Sequence, residues 1–448
     1  MPTALSGWGR YPVVPCEVAQ PGTVAQVAAT LGAPSGTHIA RGLGRSYGDA
    51  ALDGHGVVLD CTGLDRYRSF DPDTGTLTCE AGTSLAQILR DFGPRGFLPA
   101  VTPGTKFVTV GGCIANDVHG KAHHADGCFS RCTESMRIAL ASGEVVNASP
   151  TENAELYWAS FGGMGLLGVI VEATIRLRRV ETTYFRQTAL AVPDLDAMLD
   201  AIDAHHHLPY SVAWVDSLAT GSRLGRGVLT VGDHATLADL PASLRASPLS
   251  VTPPSPLVLP FELPGRALNT ATIRALNVVL EQVQAHGAAY AHYEKFFYPL
   301  DFIGQWNRGY GRRGFTQYQF VIPMENGRAN IRTLLSLVAN SGQAPFLNVL
   351  KRFGPERDET SLSFPFEGYT FAIDFPIRPG LEGVLRELDR HVLAMDGRVY
   401  LGKDAFLQRP TFEAMYPRLD RWKAVKHAVD PASRFSSELG RRLGLSAG

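Results

Sequence analysis

The chain has 448 residues, of which 45% are hydrophobic and 19% are charged, and its formal net charge is −1. This length predicts two or three globular domains, and the near-neutral charge argues against nucleic acid, whose phosphates favour a basic partner. Because the sequence has neither a run of about 18 apolar residues nor an apolar signal core, we expect no transmembrane helix, no signal peptide, and a cytoplasmic or peripherally membrane-associated protein.

The first third of the sequence alternates short strands and helices with tight turns. Strands or hairpins are predicted over 56–64, 71–82, 134–149 and 165–180. Ser84 followed by Gln87 is a capping-box pattern that predicts the start of an amphipathic helix, and Gly93 is its predicted end. These elements indicate an α+β domain.

The middle of the chain has longer elements. Residues 194–207 and 330–340 are typical of helices, whereas "TQYQFVIP" and "GYTFAIDFPI" alternate as strands with one buried face. Residues 247–269 contain six prolines, which excludes a helix or a central strand. We predict an irregular excursion with exposed leucines there. It is either a mobile flap or lipid-contacting surface at the substrate entrance, or a loop that packs its leucines on the body.

The stretch "ARGLGRSYGD", residues 40–49, is too rich in glycine for a helix or strand. Glycines this closely spaced permit backbone amides to turn inward and form an anion nest, to which Arg41 and Arg45 either add charge or point to solvent. The spacing is neither G-x-G-x-x-G nor a P-loop, and a tight surface turn is the alternative.

Two further glycine-rich loops favour the anion nest over the tight surface turn. They span 102–124, with "PGT", "GG" and "HGK", and 159–170, with four glycines. Three such loops in one α+β domain indicate a large cofactor that lies extended along exposed backbone.

The segments "RGLGRSYGD", "PGTKFVTVGG", "DVHGKAHH" and "GLLGVI" resemble the vanillyl-alcohol-oxidase type of FAD-binding domain. Further matches, among them "SVAWVDS", "QYQFVIP", "FLNVLKRFG" and "FEAMYPRLDRW", are similar to the family of decaprenylphosphoryl-β-D-ribose 2′-oxidases and follow in order along nearly the whole chain. The resemblance implies an α+β fold. It would comprise an FAD-binding domain over 1–182, a substrate domain with an antiparallel sheet and flanking helices over 183–397, and a C-terminal segment over 398–448 that returns to the first domain.

The resemblance also implies noncovalent FAD, because the first loop has no His or Cys near Arg45, Ser46 and Tyr47 where related oxidases tether the flavin. The residues that would wrap the pyrophosphate are Arg41, Gly42, Leu43, Gly44, Arg45, Ser46, Tyr47 and Gly48. Those that would line the rest are Pro103, Gly104, Thr105, Val108, Gly111, Gly112, Ala115, Asn116, Val118, His119, Gly165, Ile170 and Tyr400. Asn116 and Met164 depart from the family, whose best-known members have Cys and Asn there.

Oxidation of an alcohol by flavin needs a hydride acceptor and a group that takes the hydroxyl proton. The candidates for these roles are His119, Lys351, Lys403, Tyr47 and Tyr318, of which Lys403, Tyr47 and His119 are predicted to be catalytic. By resemblance, Lys403 matches a pocket lysine of the family, and Gln317, Tyr318, Gln319 and Lys351 match substrate-binding positions. Ala372 is also predicted to face the substrate, at a position where the best-known relatives have Cys. Alternation along a strand would place Gln317 and Gln319 on one face and Tyr318 on the other. Without the resemblance, Lys403 would be read as a solvated strand-end lysine and His119 as the cap of a turn.

The function implied is oxidation of the 2′-hydroxyl of a polyprenyl-phosphoryl β-D-ribofuranose to the 2-keto sugar, the first half of an epimerisation to the arabinose precursor of cell-wall arabinan. A short-chain reductase would be the partner, and 247–269 would be the site of membrane contact. The alternatives are oxidation of another sugar, polyol or nucleoside, and a flavin-binding protein without alcohol chemistry.

Several side chains are of metal-ligand type, namely His119, His123, His124, Cys128 and Cys132. Their spacing contains no C-x-x-C pair, so we predict no metal. The six cysteines of so long a chain are expected to be reduced thiols rather than a disulfide framework. His205, His206 and His207 are expected on a solvated helix end.

Overall fold

The computed structural model describes residues 2–33, 36–251, 257–264, 268–284 and 287–447. The strands form three sheets, and helices cover them or connect them. In these described ranges no helix combines the length and the apolar character that a membrane span requires.

The first sheet is built from four strands: β1 (Thr3–Ser6), β2 (Val13–Ala19), β3 (His38–Arg41) and β4 (Val57–Asp60). Their order is β1-β2-β4-β3, and β4 pairs in parallel with both β2 and β3. The first glycine-rich loop therefore leaves this sheet at the carboxyl end of β3, next to that of β4.

The second sheet is antiparallel. Its strands are β5 (Tyr67–Asp71), β6 (Thr76–Glu80), β7 (Phe97–Pro99), β8 (Thr133–Ala139), β9 (Val145–Ala148) and β10 (Val169–Arg179). The long strand β10 pairs with β6, β7 and β8, and β8 pairs with β9 as a hairpin. The strands and the hairpin predicted in the first third of the chain are confirmed.

Five helices accompany these sheets: α1 (Val24–Leu31), α2 (Leu85–Phe92), α3 (Val110–Ala115), α4 (His123–Asp126) and α5 (Ala154–Ser160). The predicted capping box opens α2, because Ser84 accepts from the Gln87 amide while the Gln87 side chain accepts from the Ser84 amide. Gly93 follows as the C-cap residue, as predicted.

The third sheet has eight strands, in the order β14-β11-β13-β12-β16-β17-β15-β18. The strands are β11 (Tyr184–Val192), β12 (Tyr210–Val215), β13 (Gly227–His234), β14 (Gly287–His292), β15 (Phe315–Pro323), β16 (Asn348–Phe353), β17 (Gly368–Pro376) and β18 (Arg398–Val399). Every pair in it is antiparallel, as the sequence predicts for this region.

The helices of this region are α6 (Leu195–Ala204), α7 (Ala242–Arg245), α8 (Thr270–Gln284), α9 (Tyr293–Phe297), α10 (Gly327–Asn340) and α11 (Leu381–Ala394). The predicted helices correspond to α6 and α10. Phe320 and Phe371 point from the sheet into the same hydrophobic core as Leu334 of α10 and Leu388 of α11. One face of the sheet is thereby covered by helices, and the other is left for the site.

The last segment consists of α12 (Arg409–Met415), α13 (Leu419–Val429) and α14 (Glu438–Leu443). It packs on the first third of the chain: the Trp422 indole donates to the Ala159 carbonyl at 3.1 Å, and the Lys426 ammonium group donates to the Leu166 carbonyl at 2.7 Å. The chain thus returns to the sheets from which it started.

The proline-rich segment falls partly outside the described residues, at 252–256 and 265–267. Over 257–264 it is irregular, and Val258 makes only an isolated bridge to Gly304. Leu257, Val258 and Phe261 are 59%, 53% and 61% exposed. The predicted irregular course with exposed apolar side chains is confirmed for this described stretch, and its mobility stays a prediction.

Replacement of Arg442 tests how firmly the last segment is attached. Its guanidinium group donates to the carboxylates of Asp49 and Asp404, which are both buried. We expect Arg442→Met to destabilise the protein by about 3 kcal/mol, because two buried carboxylates lose their partner. The measurement is the urea midpoint of the FAD-loaded protein. Arg386→Met, which removes only an exposed i,i+4 pair with Glu382, is the control and should change little. Equal midpoints for both variants would contradict the expectation.

Candidate active site

The first glycine-rich loop is held between two other backbone segments. The Tyr47 amide donates to the Gly402 carbonyl at 3.1 Å, and the Gly9 amide donates to the Tyr47 carbonyl at 3.2 Å. A Cβ atom on Gly48 would stand 1.8 Å from the Asp404 carbonyl oxygen, so only glycine permits this approach. Gly48 therefore packs the loop against the chain return.

The two arginines of this loop turn inward rather than to solvent. Arg41 donates to the Ser6 carbonyl at 2.7 Å and to the Ala51 carbonyl at 3.3 Å, and burial lowers its pKa. The Arg45 guanidinium group lies 3.8 Å from the centroid of the Trp8 ring. Its Nε is buried and has no hydrogen-bond partner among the described residues. Arg45 thus keeps a donor for a ligand, whereas Arg41 fixes the loop.

The second loop is anchored by α9 and by the turn that follows this helix. The Asp301 carboxylate accepts from the Lys106 amide and from the Thr105 hydroxyl, each at 3.0 Å, and Lys106 pairs with Glu294. A Cβ atom on Gly104 would meet nothing within 4 Å, so the backbone beside it is open. The loop is therefore anchored at Thr105 and Lys106, while the backbone beside Gly104 is left open.

The residues predicted to contact FAD divide by exposure. Those that are at least partly accessible are Arg41, Gly42, Leu43, Gly44, Arg45, Ser46, Tyr47, Pro103, Gly104, Thr105, Val108, Gly111, Gly112, Ala115, Asn116 and Gly165. Those that are buried are Gly48, Val118, His119, Ile170 and Tyr400. The accessible set combines open backbone with the unpaired Nε of Arg45, which fits an extended phosphate-containing cofactor.

One face of the third sheet supplies the polar groups. The register pairs Gln317 with Asp374, and Gln319 with Ala372, so these four side chains share a face. Lys351 of β16 is paired with Thr370 of β17 and lies on that same face.

Tyr318, which belongs to the predicted substrate-binding set, lies apart from its other members. Its side chain lies on the opposite face, as strand alternation indicates, and its hydroxyl donates to Asp389 of α11 at 2.8 Å. The structure therefore brings together Gln317, Gln319, Lys351 and Ala372, but not Tyr318.

A chain of hydrogen bonds joins Lys403 to a buried carboxylate. Lys403 Nζ donates to Gln317 Oε1, and Gln317 Nε2 donates to Asp374 Oδ1. The Tyr310 hydroxyl donates to Asp374 Oδ2 at 3.2 Å. Burial lowers the pKa of Lys403 while the Asp374 charge opposes that shift, and burial raises the pKa of Asp374. The Gln317 amide thus connects the Lys403 amine to the Asp374 carboxylate, and each of these two groups favours the charged form of the other.

Lys403 also meets the first loop. Its Nζ lies 4.4 Å from the centroid of the Tyr47 ring. Burial raises the pKa of Tyr47 well above its ordinary value, so the phenol stays protonated. The loop, the lysine and the sheet face thus converge at one place.

His119 connects this face to the second loop. Its Nε2 lies 3.1 Å from Gln319 Nε2, and its ring centroid lies 4.8 Å from that of Phe353. Burial, followed by repulsion from Lys351, His123 and Lys403, lowers its pKa well below the ordinary value, so the ring is neutral. Its Nδ1 is buried without a hydrogen-bond partner among the described residues. With Arg45 Nε and the open backbone at Gly104, this orphaned atom fits a bound cofactor.

The sequence reasoning missed Asp374 and Lys121. Asp374 stands two residues after Ala372 on the same strand, so alternation alone could have placed it on the same face. Lys121 follows His119 in the second loop, and its ammonium group donates to the Phe296 carbonyl. No local pattern indicated that this lysine would be enclosed, because the partner lies 175 residues further along the chain.

The metal-ligand types are dispersed. Among the residues that the structure describes, no group of three or more His, Cys, Asp or Glu side chains is arranged to hold a metal. His124 contacts the Leu208 carbonyl at 2.8 Å, and Cys128 and Cys132 are buried thiols. Cys113 is fully buried and burial raises its pKa, so it is not a reactive thiol of the site.

Comparison with known proteins gives two family matches and several relatives. The FAD binding domain family matches residues 15–149, and the D-arabinono-1,4-lactone oxidase family matches residues 312–443. The chain is 39% identical to the decaprenylphosphoryl-β-D-ribose oxidase of Mycolicibacterium smegmatis, over 98% of this chain and 97% of the relative. It is 34% identical to an uncharacterized protein of Streptomyces coelicolor, over 79% and 97%, and 23% identical to the L-gulono-1,4-lactone dehydrogenase of Mycobacterium tuberculosis, over 98% of both.

Proposed function

This chain belongs to the decaprenylphosphoryl-β-D-ribose oxidase family of FAD-dependent oxidoreductases, and we propose that it oxidises the 2′-hydroxyl of a polyprenyl-phosphoryl β-D-ribofuranose to the 2-keto sugar. The observation that carries the proposal is that the similarity extends over 98% of the chain, through the substrate sheet as well as the cofactor loops. It therefore favours this substrate over another sugar, a polyol or a nucleoside.

The cofactor loops would hold FAD, which when bound accepts the hydride from the substrate carbon. Residues 41–48 and 103–119 would bind it, with Arg45 Nε and His119 Nδ1 as buried donors that lack a partner among the described residues. The first loop offers no histidine or cysteine for attachment, which supports a noncovalent complex.

Lys403 is the group proposed to handle the hydroxyl proton. Because Gln317 Oε1 accepts one hydrogen of Nζ, a neutral Lys403 keeps its lone pair free for the substrate hydroxyl. A protonated Lys403 instead stabilises negative charge that develops during the reaction. Burial lowers its pKa, which makes the neutral form accessible near neutral pH.

Tyr47 and His119 would act as neutral groups. The Tyr47 phenol stays protonated because burial raises its pKa, so it can donate or accept a hydrogen bond but does not take up the hydroxyl proton. His119 is neutral because burial lowers its pKa, and Gln319 holds its ring through Nε2. Neither group is placed to take a proton in preference to Lys403.

The product suggests a partner. A 2-keto sugar becomes the arabinose epimer only when its carbonyl is reduced from the other face, so a short-chain reductase is the proposed next enzyme.

A membrane surface is proposed as the source of the lipid-linked substrate. Residues 257–261 and Phe302 form an exposed apolar patch, which backbone hydrogen bonds between Leu257, Leu259 and Gly304 hold in place. Arg312 and Arg313 are exposed on the neighbouring segment. Apolar side chains beside basic ones suit peripheral binding to an anionic lipid surface.

The mode of FAD attachment is tested by denaturation. We expect acid or heat to release all of the flavin into the soluble fraction, because residues 45–47 offer no nucleophile for a covalent link. The measurement is flavin absorbance in the supernatant and in the precipitated polypeptide. Flavin that stays with the denatured chain would contradict the noncovalent assignment.

The role of Lys403 is tested by rapid-mixing reduction of the flavin without oxygen. Lys403→Met keeps the stem and removes the amine, and we expect the reduction rate by the phosphoryl ribose to fall about 10²- to 10³-fold with FAD still bound. Lys295→Met, at an exposed lysine of α9, is the matched control and should reduce at the parental rate. A parental rate for Lys403→Met would remove Lys403 from the mechanism.

Membrane contact is tested by sedimentation with vesicles that contain anionic lipid. We expect Phe261→Glu to lower the vesicle-bound fraction, since it places a charge in the exposed apolar patch. Leu237→Glu changes an exposed leucine on another segment and should bind as the parent does. Equal binding of the parent and Phe261→Glu would exclude this patch as the contact surface.

A further inference from the structure

Lys351 lies within the site, where its side chain is partly accessible, and it has no counter-ion among the residues that the structure describes. Its side chain rises from the middle of β16 on the face shared by Gln319 and Ala372, and its Nζ lies 5.5 Å from the centroid of the Phe353 ring. Within the described part of the chain, this ammonium group makes neither a hydrogen bond nor an ion pair. Its environment is nevertheless crowded, because the same Phe353 ring packs on His119.

Two other lysines add to the positive charge. Burial, followed by repulsion from Lys403 and from Lys121, lowers the pKa of Lys351 to about 7. Burial also lowers the pKa of Lys121 to about 8. Asp374 offsets only Lys403. The site thus holds three amines and one carboxylate.

The remaining titratable groups around Lys351 do not supply a negative charge. His119 and His123 have pKa values lowered by burial and by Lys351 itself, and both are neutral. Burial raises the pKa of the Cys128 thiol well above its ordinary value. An enclosed ammonium group without a counter-ion is unfavourable, so the site gains from an anion that a ligand brings with it.

The substrate class proposed above carries such an anion. Its phosphodiester is attached to C1 of the ribose, and the hydroxyl to be oxidised is on the adjacent carbon. When that hydroxyl lies at Lys403, the phosphate must lie within the same enclosure. Lys403 is engaged with Gln317, which leaves Lys351 as the amine without a partner.

We propose that Lys351, with support from Lys121, binds the phosphodiester of the substrate and makes the enzyme selective for anionic phosphoryl sugars over neutral glycosides. This inference rests on the proposed function, in that it names the group that the same site recognises beside the sugar. Lys351 is thereby a specificity-determining residue, whereas Lys403 serves the oxidised hydroxyl.

The affinity of the site for the phosphodiester should therefore depend on pH. Below pH 7, Lys351 is already protonated and the anion binds at full strength. The bound anion raises its pKa, so above pH 7 binding must take up a proton and affinity falls as the pH rises. A neutral ligand gains nothing from that proton, and its affinity should not follow this trend.

The test separates anion binding from oxidation. A short prenyl phosphate in the form of its methyl diester, which keeps one negative charge at every pH of the test and has no sugar to oxidise, and the corresponding prenol are titrated into the FAD-loaded parent, Lys351→Met and Lys351→Arg, with the flavin spectrum as readout. We expect Lys351→Met to bind the phosphate about 10- to 100-fold more weakly, Lys351→Arg to retain much of the affinity, and prenol binding to be unchanged. Parental FAD content and melting temperature of the variants establish that they are folded.

Two outcomes overturn the proposal: equal affinity of the parent and Lys351→Met for the prenyl phosphate, or an equal loss for phosphate and prenol. Raising the pH from 6.5 to 8.5 should weaken phosphate binding more in the parent than in Lys351→Met or Lys351→Arg, which both keep Lys121. Flavin reduction by prenyl-phosphoryl ribose is measured alongside. If Lys351 governs phosphate binding but this sugar leaves the flavin oxidised, the proposed function fails while the phosphate site stands.

Discussion

The site depends on the close approach of two backbone segments that are far apart in sequence. Residues 402–404 lie so tightly against 46–48 that no side chain fits at Gly48. Because Lys403 belongs to one of these segments and Tyr47 to the other, their contact brings the amine to the loop and, through Gln317, to the third sheet. A larger residue at position 48 would separate all three.

Burial within the site shifts the pKa values of its polar groups. Removal from water makes the Lys403 amine easier to deprotonate, keeps the Tyr47 phenol protonated and keeps the His119 ring neutral. Asp374 moderates the effect on Lys403 through the Gln317 amide, which also fixes the direction of the amine. The same side chains on an open surface would have ordinary pKa values. The acid–base properties of the site therefore depend on the packing of the first loop against the third sheet.

Local patterns predicted much of this fold. The capping box at Ser84 and the alternation that separates Gln317 from Tyr318 involve neighbours in sequence, and both are confirmed. The partnership of Gln317 with Asp374 joins residues 57 apart, and it depends on which strands pair and in what register. The enclosure of Lys121 likewise depends on tertiary packing. Resemblance to a family supplied the remaining site positions, although their contacts with ligands are still predictions.

The return of residues 402–404 and of Arg442 to the first loop has a consequence for biosynthesis. Residues 46–49 are made early, but the Gly402 carbonyl that accepts from Tyr47 is made 355 residues later and the Arg442 guanidinium group that binds Asp49 is made 393 residues later. While the ribosome is still elongating the chain, the loop lacks these contacts and cannot present a finished cofactor cradle. We therefore expect FAD loading to follow the synthesis of these late residues, and such non-local closure is slow compared with local helix formation. A nascent chain stalled before residue 402 would remain an apoprotein.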